Sequence, residues 1–581
     1  MFSIRNAALC GISLAALCSA QPGLAQTTDS VEDVTAAAPV VSASQQTSEE
    51  VVVQGQIGYR NRSASPEPVL VYGTDYFQRF EPLTIGDALK RVPSVTFLSD
   101  VIESDGARLR GLDPGYTQIL INGEKVPGSN ADRSFFLDRI PAELVDRVEI
   151  VRSNSARRTA DAVAGTLNIV LRDAYKLDGG YIRAGGLLFD DGEVKPSVGL
   201  VWGGQVGPGR LLLGGTVQGR YNPKKKSSFR YGDSPENNPD FEADDFDNRE
   251  DQSDVRDGTD YNANASYGVE FGSTKLDLNG FYVKTERTED ERSFEYNDPT
   301  ARTGPVRAST PGNLLTDNAN VAKIDQESYN ASAKLTHDWS FGKTAFRASY
   351  ASFVEDRYET EFDLDFNRSA PRFTGDLSTT NLKDRELALA IDHSVPLNAN
   401  VTFQFGGFAQ DKKRDTDIQT VRNRFNLTNA VRNWDQFNRN PTELMTTFGN
   451  LAAVPGGLNE IKEERRDVFG LVEGKTGILA WEAGVRYEQT DVAIDDLASG
   501  DRYMNDYGLL LPSASIKADL TRTDRVTASV ARTNRRPRFD FISPALLEAE
   551  LGDNDLIGNP DLKPETSLGF DVGYERRLGR T

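Results

Sequence analysis

From Gly179 onward, apolar and polar side chains occupy alternate positions along the chain. In Tyr261–Phe271, one face carries Tyr261, Ala263, Ala265, Tyr267, Val269 and Phe271, and the other Asn262, Asn264, Ser266, Gly268 and Glu270. Tyr329–Trp339, Leu479–Glu488 and Leu568–Glu575 repeat the pattern. A period of two is that of a β-strand with one apolar face. A half-solvated sheet in a soluble sandwich alternates in the same way. Strands of ~10 residues with Tyr, Phe and Trp near the ends of the apolar face fit a tilted membrane span between aromatic girdles, and so an antiparallel β-barrel. Connections alternate in length. Gly207–Gly209 and Phe341–Lys343 are short and suit periplasmic turns. Asn222–Gly258, Glu289–Asp325, Tyr358–Lys383 and Arg414–Lys462 are long and polar and suit extracellular loops. This criterion gives about fourteen strands.

The preceding stretch, Ser63–Asp173, reads as a small mixed α/β domain. Thr84 caps a helix over Ile85–Val92, with Ile85, Ala88, Leu89 and Val92 on one face, and Pro93 stops it. Ala107–Leu112, Thr117–Ile121, Arg147–Val151 and Thr166–Leu171 read as strands. Asn122-Gly123 is a hairpin turn signal, and Pro141 opens a short helix over Ala142–Val145. Residues 26–62 form a polar leader expected to be disordered. Within it Glu49–Gly55 carries Val51, Val52 and Val53 in a row, a strand former able to add to a partner's sheet edge. It can equally be the first strand of the next domain. Residues 1–25 show a basic start, an apolar run and small residues before a cleavage point, as an export signal does.

Composition removes several function classes. The 581 residues carry a formal charge of −21, which argues against a nucleic-acid partner. Only the N-terminal run is apolar enough for a helix in lipid, and it is shorter than the ~20 residues a span needs. The two cysteines, Cys10 and Cys18, lie inside the export signal, and there are two histidines, so no metal site or cofactor is expected. No phosphate-cradling loop and no nucleophile–His set is present, so the chain is not read as an enzyme. The acidic run Asp233–Asp260 lacks the spacing of a Ca²⁺ loop. Arg532, Arg535, Arg536 and Arg538 suit a lumen wall or contact with anionic lipopolysaccharide.

Five motifs follow in order: Asp87–Val95, Leu109–Leu112, Gln118–Gly123, Ile140–Arg152 and Ala164–Val170. Together they resemble the plug domain of TonB-dependent outer-membrane receptors, with one departure at Arg152–Ala156, where the family usually has Gly-Pro after the Arg. The resemblance implies a mainly β fold, a membrane-spanning barrel with the plug in its lumen. It makes Glu50, Val51, Val52 and Val53 a TonB box, and TonB with its inner-membrane energising complex the partner. It implies uptake of a scarce small ligand, a ferric siderophore, an oligosaccharide or cobalamin, across the outer membrane of a Gram-negative bacterium. Outer-membrane lipid and lipopolysaccharide are the surroundings, and a monomer is expected. Plug arginines pair with barrel glutamates in the family, here Arg110 and Arg152 with Glu565 and Glu575. Asn130, Asp132 and Arg133 are the expected ligand-facing tip of the plug.

The family barrel has ~22 strands, so the resemblance also leads to the expectation that the barrel is C-terminally incomplete. A non-transporting outer-membrane binding protein or decayed receptor fragment is the alternative that this leaves open.

Overall fold

The computed structural model describes residues 61–62, 66–77, 80–97, 106–125, 133, 135, 137, 140–175, 177–231, 246–297, 314–368, 370–427, 449–547 and 555–577. The expected export signal and TonB box, and the leader as far as residue 60, lie outside them; the leader's expected last residues, Asn61–Arg62, instead pair as a strand with Leu70 and Val71.

The plug begins with β1 (Asn61–Arg62), β2 (Val69–Gly73), α1 (Thr74–Phe77) and α2 (Ile85–Leu89). It continues with β3 (Val95–Thr96), β4 (Arg108–Leu109), β5 (Thr117–Ile121), β6 (Glu124–Lys125), β7 (Val145–Val151) and β8 (Gly165–Leu171). Six of these strands form a sheet in the order β1-β2-β7-β8-β5-β6, with only β5 and β8 parallel. Thr84 caps α2 as expected, accepting from the Asp87 N–H at 3.2 Å. The helix ends at Leu89 rather than Val92, because the Arg91 and Val92 N–H groups bond three residues back, to Ala88 and Leu89. The expected strand Ala107–Leu112 shrinks to β4. Arg110 and Gly111 have φ of 58° and 73°, a left-handed pair that turns the chain off the ladder. Asn122 and Gly123, at 53° and 82°, form the turn joining β5 to β6.

The barrel wall is one antiparallel sheet. Its first half comprises β9 (Gly179–Leu188), β10 (Val194–Val206), β11 (Gly209–Tyr231), β12 (Phe246–Phe271), β13 (Thr274–Asn297), β14 (Leu314–Trp339) and β15 (Gly342–Asp365). Its second half comprises β16 (Arg372–Asn398), β17 (Val401–Asn426), β19 (Asn459–Thr476), β20 (Leu479–Asp496), β21 (Arg502–Asp519), β22 (Asp524–Arg535) and β25 (Glu565–Arg576). Each pairs with the next, while β18 (Ala452–Ala453) pairs with β17, and β23 (Leu546–Leu547) with β24 (Leu556–Ile557). Among the described residues no ladder joins β9 to β25. The alternation sorts as read: on β20 Tyr487 is 44% exposed on the outer face, and its neighbour Glu488, on the lumen face, is 1% exposed.

Where they are described, the long connections are mostly strand, contrary to expectation. β11 and β12 stay paired from Arg210↔Gly268 to Tyr231↔Phe246, through most of Asn222–Gly258. Between β15 and β16 only residues 366–371 connect. Strands of up to 27 residues far exceed the ~9–11 that cross a bilayer. Beyond the lipid both sheet faces are wet, so side-chain alternation fades while the backbone ladder continues.

Two kinds of contact seat the plug. Its core, including Tyr72, Leu89, Ile140, Val148 and Leu167, runs on into lumen-facing Val201, Leu212, Phe281 and Val283 of β10, β11 and β13. Against β17 and β19–β22 the plug instead meets charge.

Candidate functional site

The segment 152–164, between β7 and β8, leaves the plug sheet and reaches the wall. Ala156 packs against Phe469 and Leu471. Its N–H donates to Ser513 Oγ at 2.9 Å, and its carbonyl accepts from Arg486. Arg157 Nη2 stands 2.7 Å from both Glu473 and Glu482, which oppose each other across β19 and β20. Arg158 pairs at 3.1 Å with the buried Glu67. The Ala160 N–H donates to Glu488, and its carbonyl accepts from the Asn534 N–H. Asp161 accepts from Arg465 at 2.9 Å, and also from Arg536 and Lys125. Glu488 in turn meets Arg465, Arg486 and Arg536. All three arginines are nearly inaccessible. Buried charges cost several kcal/mol each unless paired, and here both signs interlock.

Lys125 sits at the tip of the plug hairpin facing this network. Burial pushes its ammonium down from 10.5 to about 7; Glu386 opposes this, and Arg536, Lys412 and Arg465 add to it. Asp161, 3.3 Å away, divides its carboxylate among two arginines as well and offsets little. Below about 7 both folded and unfolded chains hold the proton and the cost is constant. Between about 7 and 10.5 the unfolded chain holds it and the folded chain does not, so stability rises with pH. Wild type is therefore expected to gain stability over Lys125→Met as the pH of urea unfolding is raised from ~7 to ~10. A pH-independent difference between the two chains would exclude this environment for Lys125.

Arg133 anchors the plug on its other side. Its guanidinium grips both Glu463 oxygens, at 2.6 and 2.8 Å, donates from Nε to the Pro537 carbonyl at 2.7 Å, and stacks on Phe539. Phe539 belongs to α3 (Phe539–Ile542), which follows β22. Lys412 and Arg414 also approach its ring. Arg133 is the one expected ligand-facing residue that is described, and its polar contacts go to Glu463 on the wall and to Pro537 in the link between β22 and α3. Asn130 and Asp132 lie outside the described residues.

The expected lock residues take different partners. Arg110 pairs at 2.8 Å with Asp571 rather than Glu565, and its guanidinium donates to the Arg152 carbonyl. Arg152 donates to Ser94 Oγ within the plug. Glu565 accepts from the Tyr116 hydroxyl at 2.8 Å and from Arg535 at 3.4 Å. Glu575 lies 3.9 Å from Arg577. The reason is register: on β25 Asp571 sits between Glu565 and Glu575 on the lumen face, level with the left-handed turn that carries Arg110.

Arg157, Asp161, Glu463, Glu482 and Glu488 were not singled out from the sequence. A signal existed. On the strand Leu479–Glu488, Glu482, Arg486 and Glu488 share the face opposite Trp481, Val485 and Tyr487, and charge on the inner face of a membrane strand needs a counter-charge in the lumen; around Glu463 the signal is absent, because Glu464 and Arg466 are charged too.

Residues 61–166 match the TonB-dependent receptor plug domain family, and residues 468–579 the outer membrane protein beta-barrel family. Among solved structures, the ferric-catecholate import receptor Fiu of E. coli K12, in its closed form, is 14% identical with a TM-score of 0.55, over 90% of this chain and 74% of that one. The siderophore receptor PiuA of Acinetobacter baumannii is 17% identical with a TM-score of 0.52, over 88% and 72%. The Serratia marcescens hemophore receptor HasR, as a double mutant with its hemophore and heme, is 13% identical with a TM-score of 0.55, over 88% and 69%. At these identities the likeness is one of fold.

Proposed function

For a chain that belongs to the TonB-dependent receptors, with a plug seated in an outer-membrane β-barrel, we propose energy-coupled uptake of a scarce ligand across the outer membrane of a Gram-negative bacterium. The observation that carries this reading is the seat itself. On the β19–β22 side the plug is held by ion pairs and hydrogen bonds that span plug and wall, at Arg133, Arg157 and Asp161. Such contacts have sharp geometry: a small displacement breaks them together, and water then solvates both partners. That suits a stopper which must hold and then yield. Arg110 with Asp571, and Tyr116 with Glu565, are peripheral members of the same lock.

Work enters through the TonB box. Val51–Val53, preceded by Glu50, would add an extended strand to the sheet edge of TonB, so that a pull on the leader reaches the plug through β1 and β2. The export signal at 1–25 delivers the chain. The ligand is a small chelate or oligosaccharide; an iron–siderophore complex is the class favoured by two of the solved relatives, named as a siderophore receptor and a ferric-catecholate import receptor.

Capture by the periplasmic domain of TonB tests the reading. The full chain should be retained by immobilised domain, and Val52→Pro, which removes one ladder donor, should lower retention at least ~10-fold. Equal retention of both chains, or of neither, would overturn it.

A further inference from the structure

Between the plug and the wall lies a cavity of about 260 Å³, bounded by β5–β6 and the plug segment 157–159 on one side and by the lumen face of β14–β17, β19 and β20 on the other. It exists because the wall turns small there: Ser349, Ala388 and Ala390 occupy lumen positions where neighbouring strands carry Phe408, Phe469 and Arg486. Its electrostatics are unbalanced. Lys334 and Arg347 stand directly opposite each other on β14 and β15, an arrangement of like charges that disfavours the pair. Lys334 faces Asp277 across β13 and β14 and feels the charge of Glu124, but among the described residues it closes no ion pair with either, and Asp277 is taken by Lys275 at 3.2 Å. Arg347 holds Asp392 at 2.9 Å, and the plug's Glu124 approaches it at 3.8 Å.

We propose that this cavity is a way-station for an anionic group of the imported ligand, with Lys334 and Arg347 as its receiving cations and Glu124 as the plug's own carboxylate holding the place. Small wall residues supply room, the opposed cations are only partly neutralised, and the hairpin supplies a removable carboxylate at a loose ion-pair distance of 3.8 Å. Asp392 lies nearer the short turn after β16 than Glu386 does, so the Glu124–Arg347–Asp392 contact bars the periplasmic side. Movement of the hairpin withdraws Glu124 and frees Arg347 for the incoming anion. Carboxylate, phosphate and sulfonate groups share the required chemistry.

The proposal rests on the uptake reading, but its test needs no TonB, so failure of either is told apart from failure of the other. In a Cys10→Ser, Cys18→Ser background, Ala390→Cys and, separately, Ser349→Cys are treated with an anionic and a cationic methanethiosulfonate of similar size. Each rate is divided by that of Ser340→Cys in the exposed turn before β15. Both cavity cysteines should react, and the anionic reagent should be favoured at least ~10-fold, a discrimination of about 1.4 kcal/mol. Lys334→Gln should bring the ratio towards one, and Glu124→Gln should raise the anionic rate. Equal normalised rates for the two reagents, no reaction at either cavity cysteine, or a ratio unmoved by Lys334→Gln would overturn the assignment.

Discussion

Arg157→Ala is expected to unseat the segment 152–164 at a cost of about 3–5 kcal/mol, the range for removing one partner of a buried ion pair. Arg157 is the counter-ion that lets Glu473 and Glu482 face each other across adjacent strands. Without it two carboxylates oppose directly, one of them almost wholly buried, and water can reach them only if the plug segment moves off the wall. Amide hydrogen exchange in the assembled protein reads this out. Protection around Ala156–Asp161 should fall, while β10–β13 and the plug core around Leu89 and Val148, held by apolar contact, keep theirs. Adding Glu482→Gln to Arg157→Ala should restore part of the loss, because it removes the opposed charge. Unchanged protection in Arg157→Ala would mean that the segment is held by backbone bonds and by Ala156 packing, and that the ion pairs are incidental.

Arg133→Met is expected to cost a similar ~3–5 kcal/mol in plug seating, and Glu463→Gln nearly as much. Glu463 is 4% exposed and takes both its short bonds from Arg133. Removing the arginine leaves a buried carboxylate with only the more distant Lys412 and Lys125 to compensate. The double variant should cost less than the sum of the two singles by ~1–3 kcal/mol, the coupling of residues in direct contact. Arg133 also bonds the Pro537 carbonyl and stacks on Phe539, so its loss should raise exchange in α3 as well. Arg110→Ala is the internal comparison. Arg110 and Asp571 are 38% and 29% exposed, and a solvent-screened pair of that kind contributes no more than ~1 kcal/mol. If Arg110→Ala loosened the plug as far as Arg133→Met, the lock would lie at β25 and not on β19.

The two predictions imply an asymmetric seat. Apolar contact on the β10–β13 side tolerates sliding and small rotations, since dispersion and burial have no preferred direction. The ion-paired side around Arg157, Asp161 and Arg133 does not, because each bidentate or shared contact fails within about an ångström. A force on the plug would therefore break the charged side first and leave the plug held on the apolar side, against β10, β11 and β13.

What could be read from the residues in order was what local physics fixes. Alternation in Tyr261–Phe271 or Leu479–Glu488 requires no knowledge of neighbours, since a strand's side chains must point to opposite faces. Thr84 capping α2, and Asn122-Gly123 turning β5 into β6, are likewise decided within a few residues. The plug motifs, all beginning within the segment 61–166 that matches the plug-domain family, were legible for the same reason. Two kinds of fact were not available in this way. The length of the strands beyond the lipid depends on backbone pairing with partners dozens of residues away, and there the side chains no longer alternate. The lock depends on which charges meet across the lumen. Arg133 finds Glu463 over 330 positions, and Tyr116 finds Glu565 over 449. Charge runs through Glu463–Asp467 on both faces of the strand, so only the wrapping of the wall around the plug decides that Glu463, Arg465 and Asp467 point inward and which counter-charge each faces. Alternation is a property of one strand, whereas partnership is a property of the register of all of them together.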